Sequence, residues 1–188
     1  MIAGLYKCFD HWHKQGTVWI YSDTHFNDAE LEAGHPRPYS SEEHLKRINS
    51  KVGKKDTLIL LGDVGDIELA KRLKGYKILI CGNHDGGRTN YEGIFDEVYE
   101  GPLMIGEKFI LSHEPLDVPW AFNFHGHDHA GAKRQRHLNC CADVVGYEPI
   151  NLNQFMKTGP AAKIDSLHRC TIDKATERKK KRGGKRNG

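Results

Sequence analysis

The sequence predicts a layered α/β domain built around two facing sheets, and three observations point to it. The runs Leu58-Ile59-Leu60-Leu61 and Ile78-Leu79-Ile80-Cys81 have strand length and are apolar throughout, as strands covered on both faces are. Together with an earlier β-branched and aromatic segment they alternate with helical patterns, which implies right-handed crossovers and parallel strands. Beyond residue 97 the pattern changes to short strand-like pieces separated by turn residues, the signature of a second sheet.

Each element has its own signal. Thr17–Ser22 (TVWIYS) reads as the first strand. The stretch Ser41–Val52 reads as a helix, because Ser40 and Ser41 precede Glu43 in capping-box style. Thr57–Leu61 is the second strand, Asp66–Lys74 a helix carrying Ile67, Leu69, Ala70 and Leu73, and Lys77–Cys81 the third strand. Glu97–Tyr99, Leu103–Ile105 and Lys108–Leu111, broken by Gly101-Pro102 and Gly106, read as hairpins. The segments Ala121–Phe124, Arg136–Leu138, Ala142–Val145 and Glu148–Asn151 continue the strand-like pattern.

With 188 residues the chain is long enough for one domain with a real core. We place that domain at 1–173 and a disordered basic tail at 174–188. The tail holds eight Lys/Arg against one acid, Glu177, which leaves 1–173 with 20 basic and 24 acidic residues and a net charge of −4. A membrane-spanning helix needs about 20 apolar residues in a row, and no apolar run approaches that length. The N-terminal apolar stretch is interrupted by Asp10, His11 and His13, too early for a secretory signal. Five cysteines, an odd number without framework spacing, imply free thiols and a cytoplasmic location. Cys140 and Cys141 are adjacent, so on a strand they face opposite ways and read as packing residues.

The polar residues at the strand ends carry the chemistry. Asp23-Thr24-His25 follows the first strand, Gly62-Asp63-Val64-Gly65-Asp66 the second, and Gly82-Asn83-His84-Asp85 the third. Ser112-His113 and Gly126-His127-Asp128-His129 follow two later strands. Any one of these is ordinarily a turn or a helix cap. Their recurrence at successive strand ends is hard to explain as turns, because the carboxyl ends of parallel strands face one crevice where ligands bind. On an extended backbone Asp23 and His25 project to one side, as do His127 and His129. With Asp63, Asn83 and His113 they offer seven O and N donors, about what two divalent cations sharing a carboxylate require. Imidazole and carboxylate without cysteine suit Mn, Fe, Zn or Ni.

These residues resemble the calcineurin-like metallophosphoesterase superfamily, whose pattern runs D-x-H, G-D-x-x-D, G-N-H-D/E, a lone His and G-H-x-H. The resemblance covers roughly residues 17–150, and the short body suggests the small bacterial and phage group of phosphoesterases. It implies a four-layer α-β-β-α sandwich with two facing mixed sheets flanked by helices. It also implies two divalent metal ions, Mn2+ foremost. Asp23, His25 and His129 would hold the first, Asn83, His113 and His127 the second, and Asp63 would bridge. His84 would be the general acid, oriented by a hydrogen bond to Asp66. The implied reaction is hydrolysis of a phosphodiester or phosphomonoester by a hydroxide shared between the two ions, with His84 protonating the leaving oxygen.

The expected substrate is a small-molecule or nucleotide phosphoester. The alternatives are a nuclease drawn to nucleic acid by the basic tail, and a non-catalytic scaffold on the same fold. The scaffold reading is weakened because His84 and every expected ligand are present. One departure stands out: Ile67-Glu68 follows Asp66 where some branches carry a phosphate-clamping Arg-Gly. Arg37 and Arg88 read as solvated loop cations rather than substitutes, Asp85 as a cap, and His125 as a hydrogen-bonded strand-end residue. His11, His13, His35, His44, His137 and His168 read as surface or packing residues. Trp12, Trp19 and Trp120 read as core or core-edge residues.

Overall fold

The continuous apolar runs pair side by side as parallel strands. The computed structural model describes residues 16–105, 109–119 and 121–158. The expectations for Cys8, His11, Trp12, His13, Trp120, His168, Cys170 and the basic tail lie outside the described residues. In the first sheet β1 (Val18–Tyr21), β2 (Thr57–Leu60), β3 (Tyr76–Ile80) and β4 (Glu97–Tyr99) are parallel, and β9 (Ile150–Asn151) adds antiparallel to β1. The second sheet has the order β5 (Leu103–Ile105), β6 (Phe109–Leu111), β7 (Phe122–His125), β8 (His137–Asn139), antiparallel at β5–β6 and parallel thereafter. Both sheets are mixed, and the expected α/β sandwich of two facing sheets is what the chain forms.

Alternation along each strand separates two cores. Val18, Ile20, Ile59, Leu61, Ile78 and Ile80 point between the sheets, where they meet Leu111, Phe122, Phe124 and Cys140. Tyr21, Leu58, Leu60 and Leu79 point to the other face. There they pack on α2 (Ser41–Lys51) through Leu45 and Ile48, and on α3 (Ile67–Lys71) through Leu69 and Ala70. Each such Ile or Leu, withdrawn from water, contributes about 2 kcal/mol. The capping box opens α2 as expected: Ser40 Oγ accepts the Glu43 amide, and Glu43 accepts the Ser40 amide. No helix of the described residues is long and apolar enough to cross a membrane.

Three local expectations are corrected. Glu97–Tyr99 does not open a hairpin but pairs parallel with β3, and Gly101-Pro102 carries the chain from one sheet to the other. Among the described residues there, the antiparallel pairing of consecutive strands is that of β5 with β6. Ala142–Val145 forms a short helix, α4, instead of a strand, because the Ala142 amide is taken by the Ser22 carbonyl and Gly146 closes the turn in the left-handed region at φ 74°. The helices α1 (Ala29–Gly34) and α5 (Leu152–Thr158) were not expected. α1 is capped by Asp28, which accepts the Leu31 amide.

Candidate metal centre

The loops after β1 and β2 are sewn to each other by main-chain hydrogen bonds. Asp23 donates to the Gly62 carbonyl, His25 to Asp63 and Phe26 to Val64. The backbone here is not extended. Asp23, His25 and Asp63 have φ of 57°, 39° and 54°, and His127 has 65°. Left-handed backbone at four non-glycine residues of one cleft is costly and persists only where surroundings enforce it. The paired donors therefore share a side because of these turns and not through strand alternation. Asp85 enforces the second turn. Its carboxylate accepts the amides of Asp63, Val64 and Gly82 and the Tyr91 hydroxyl, so it caps the loop after β2 and not, as expected, the segment after Asn83. Two glycines permit the close approach of the loops. A Cβ on Gly82 would fall 2.2 Å from Asp63 Oδ1, and one on Gly126 would fall 1.9 Å from Ser22 Oγ.

Asp23, His25 and His129 form one group whose ligand atoms all lie within 4.8 Å of one another. Asp23 is fully buried, and both its carboxylate oxygens accept the His127 amide. His25 Nδ1 lies 2.7 Å from Asp28 Oδ2, which leaves Nε2 facing inward, buried and without a hydrogen-bond partner. His129 Nδ1 lies 2.6 Å from Asp143 Oδ2. Both imidazoles thus lean on a carboxylate through Nδ1, the support that fixes the tautomer of a metal-binding histidine.

Asp63, His113 and His127 form a second group, and Asn83 completes it. His113 Nε2 lies 2.8 Å from Asn83 Oδ1 and 3.1 Å from His127 Nδ1, and His127 Nδ1 lies 3.0 Å from Asn83 Oδ1. His113 Nδ1 sits 2.8 Å from the Leu61 carbonyl and is its donor, so Nε2 turns a lone pair toward the other acceptors. Lone pairs converging at these distances call for a positive charge between them. Without a cation a proton on Nε2 supplies that charge: burial acts to push the His113 pKa down, but the Asp63 carboxylate outweighs it and holds it up at about 9. Asp63 joins the two groups: Oδ2 is 3.4 Å from His25 Nε2 and 3.3 Å from His113 Nε2. Burial acts to raise the Asp63 pKa, yet the His113 and His25 rings hold it well below the carboxylate range. The donor set and the orphaned His25 Nε2 fit the binding of divalent metal.

His84 is exposed at the edge of this cleft. Its ring centroid lies 5.3 Å from that of His25, and its amide donates to Asp63 Oδ1. The expected His84–Asp66 hydrogen bond is not made. The Asp66 carboxylate accepts Asn27 Nδ2 and the Glu68 amide, because it is committed to capping α3.

Arg37 is no solvated cation. Its side chain is 5% exposed and donates to the Asp23 and Thr24 carbonyls and to Asp143. Asp143 also accepts the Tyr147 hydroxyl. Burial acts to raise the Asp143 pKa, but His129, Tyr147 and Arg37 keep it well below its ordinary value. Sequence spacing missed Asp28, Arg37 and Asp143.

His129, Cys141 and Asp143 form a third cluster. The His129–Asp143 separation there is a hydrogen-bond distance, so the carboxylate orients the ring. Cys140 packs between the sheets, whereas Cys141 lies 3.5 Å from His129 Nδ1. His125 is buried and within 2.8 Å of the Gly126 carbonyl, as expected of a strand-end residue. His35 is closer to the cleft than expected, with Nε2 3.6 Å from Asp143.

No family model matches the chain. The uncharacterized protein MJ1445 of Methanocaldococcus jannaschii is 30% identical over 173 residues, spanning 78% of this chain and 93% of that protein. The chain belongs to the family of MJ1445. The fold is also that of the protein of unknown function AQ665 from Aquifex aeolicus, whose crystal structure matches with a TM-score of 0.62 and 24% identity over 75% of this chain and 98% of that one. Pseudomonas putida nuclease MPE overlaps less, with a TM-score of 0.44 and 25% identity over 60% of this chain and 61% of that one.

Proposed function

We propose that this member of the MJ1445 family is a metal-dependent hydrolase of phosphoesters, of the calcineurin-like metallophosphoesterase type, with its catalytic domain within residues 1–173. The observation that carries the reading is the Asp63 carboxylate poised between two His-containing donor groups, with an exposed histidine beside it. In this reading Asp23, His25 and His129 would hold one divalent cation and Asn83, His113 and His127 a second, with Asp63 available to both and Mn2+ the foremost candidate. Such a pair supplies, when bound, a water acidic enough to attack at neutral pH and neutralises charge on the phosphoryl oxygens.

The chain's own residues do the rest. Asp28 and Asp143 hold the His25 and His129 rings so that each turns Nε2 inward. Asp85 fixes the turn that presents Asp63. As the oxygen of water bonds to phosphorus, its proton passing to solvent, and the ester P–O bond breaks, His84 gives its proton to the departing alkoxide and regains one from solvent, a step worth about 10²–10⁴-fold.

Two variants test this. His84→Ala should retain metal by elemental analysis while its turnover of an alkyl phosphoester falls about 10²–10⁴-fold. Asp63→Asn should lose metal from both groups. Undiminished turnover in the first variant, or full metal content in the second, contradicts the assignment.

A further inference from the structure

A cavity of about 290 Å³ opens directly beside Asn83 and His113. It lies where Glu100–Pro102 carries the chain from the first sheet to the second, between the end of β3 and the segment that follows β6. Pro102 and Leu116 give it apolar walls, and the charged side chains among its described lining residues are Glu100 and Glu114, apart from the metal-group His113. No Lys or Arg is among them. Glu100 accepts the Arg88 amide through one oxygen. Glu114 is exposed, and its carboxylate makes no hydrogen bond or ion pair with a described residue.

Size and charge narrow the occupant. The volume falls just under the roughly 300–1,000 Å³ typical of ligand sites, which suits a ligand no larger than one nucleoside. A groove for a polynucleotide is lined with cations that follow the phosphates, whereas two carboxylates repel a second phosphate. An apolar wall beside carboxylate acceptors suits a flat group that carries hydrogen-bond donors.

We propose that this cavity receives the nucleoside portion of a mononucleotide substrate, its base against Pro102 and Leu116 and its exocyclic amine donating to Glu100 or Glu114. The phosphate then lies toward Asn83 and His113, so the proposal rests on reading the donor groups as a phosphoester site and gives that site its substrate class.

Calorimetry with adenosine, on the full-length protein freed of metal, tests binding without turnover. Adenosine should bind saturably and about tenfold more tightly than purine riboside, which has the same shape without the amine. Leu116→Glu, outside the proposed catalytic machinery, should weaken adenosine binding by at least about tenfold. Absence of adenosine binding overturns the proposal, as does equal affinity for the two nucleosides or full affinity in Leu116→Glu. Hydrolysis of phosphoesters without nucleoside binding removes this proposal alone, and nucleoside binding without hydrolysis removes the enzymatic reading alone.

Discussion

Asp143 serves three neighbours with one carboxylate: it orients His129, neutralises the buried Arg37 and accepts the Tyr147 hydroxyl. Replacing it by Asn keeps the shape and removes the charge, leaving a guanidinium in the interior without its counter-ion. We expect Asp143→Asn to lower stability by about 3 kcal/mol in urea denaturation, as the loss of a buried partner does. Mn2+ affinity should fall about 10–100-fold by calorimetric titration, since outer support of a ligating histidine is worth that much. Neither Asp143 nor Asp28 was legible as a support of the centre. Asp28 also caps α1, and a cap explains an aspartate before a helix completely. Asp143 is 14 residues from His129, and nothing local in the sequence joins them. The expected ligands were legible because they recur at strand ends, although the turns that bring Asp23 to His25 and His127 to His129 were not.

α2 was legible almost to the residue because its start is written in side chains that satisfy its own amides. α4 was not, since Val144 and Val145 favour a strand locally and a single amide bonded across to Ser22 decides otherwise. The inward face of α2 carries His44, buried against Tyr21, Phe26 and Tyr147. Burial pushes the His44 pKa down to about 3. The unfolded chain takes up this proton near pH 6.5 and the folded chain refuses it until about pH 3. Stability is therefore full above pH 6.5 and declines on acidification, by up to about 1.4 kcal/mol per pH unit from this group. Urea midpoints between pH 6.5 and 5, below the range where the raised His113 titrates, should fall accordingly, and His44→Gln should flatten that dependence. His125, whose pKa burial also lowers, keeps a residual slope in the variant.

At the scale of the molecule, the two parallel runs and the shift at residue 97 were enough to foresee facing sheets. The crossing at Gly101-Pro102 was not, because a turn of that composition serves a hairpin equally well. The candidate centre ties the sheets together: Asp23, His25, Asp63 and Asn83 come from loops of the first, and His113, His127 and His129 from loops of the second. A cation bound only by the folded state should stabilise it as a whole. With free Mn2+ at a hundredfold excess over its dissociation constant, each ion adds about 2.7 kcal/mol. The melting temperature should rise on loading and return with EDTA, and an unchanged melting temperature counts against a native metal centre.

The division of donors between the sheets has a consequence for biosynthesis. A nascent chain that has left the ribosome as far as β3 and its following loop already carries Asp23, Asp63 and Asn83, but none of the imidazoles of His113, His127 and His129. Until translation delivers those rings, His25 is the one histidine of the two donor groups that the early carboxylates have beside them. Closure of the cleft is thus a late event of synthesis, dependent on contacts far apart along the chain.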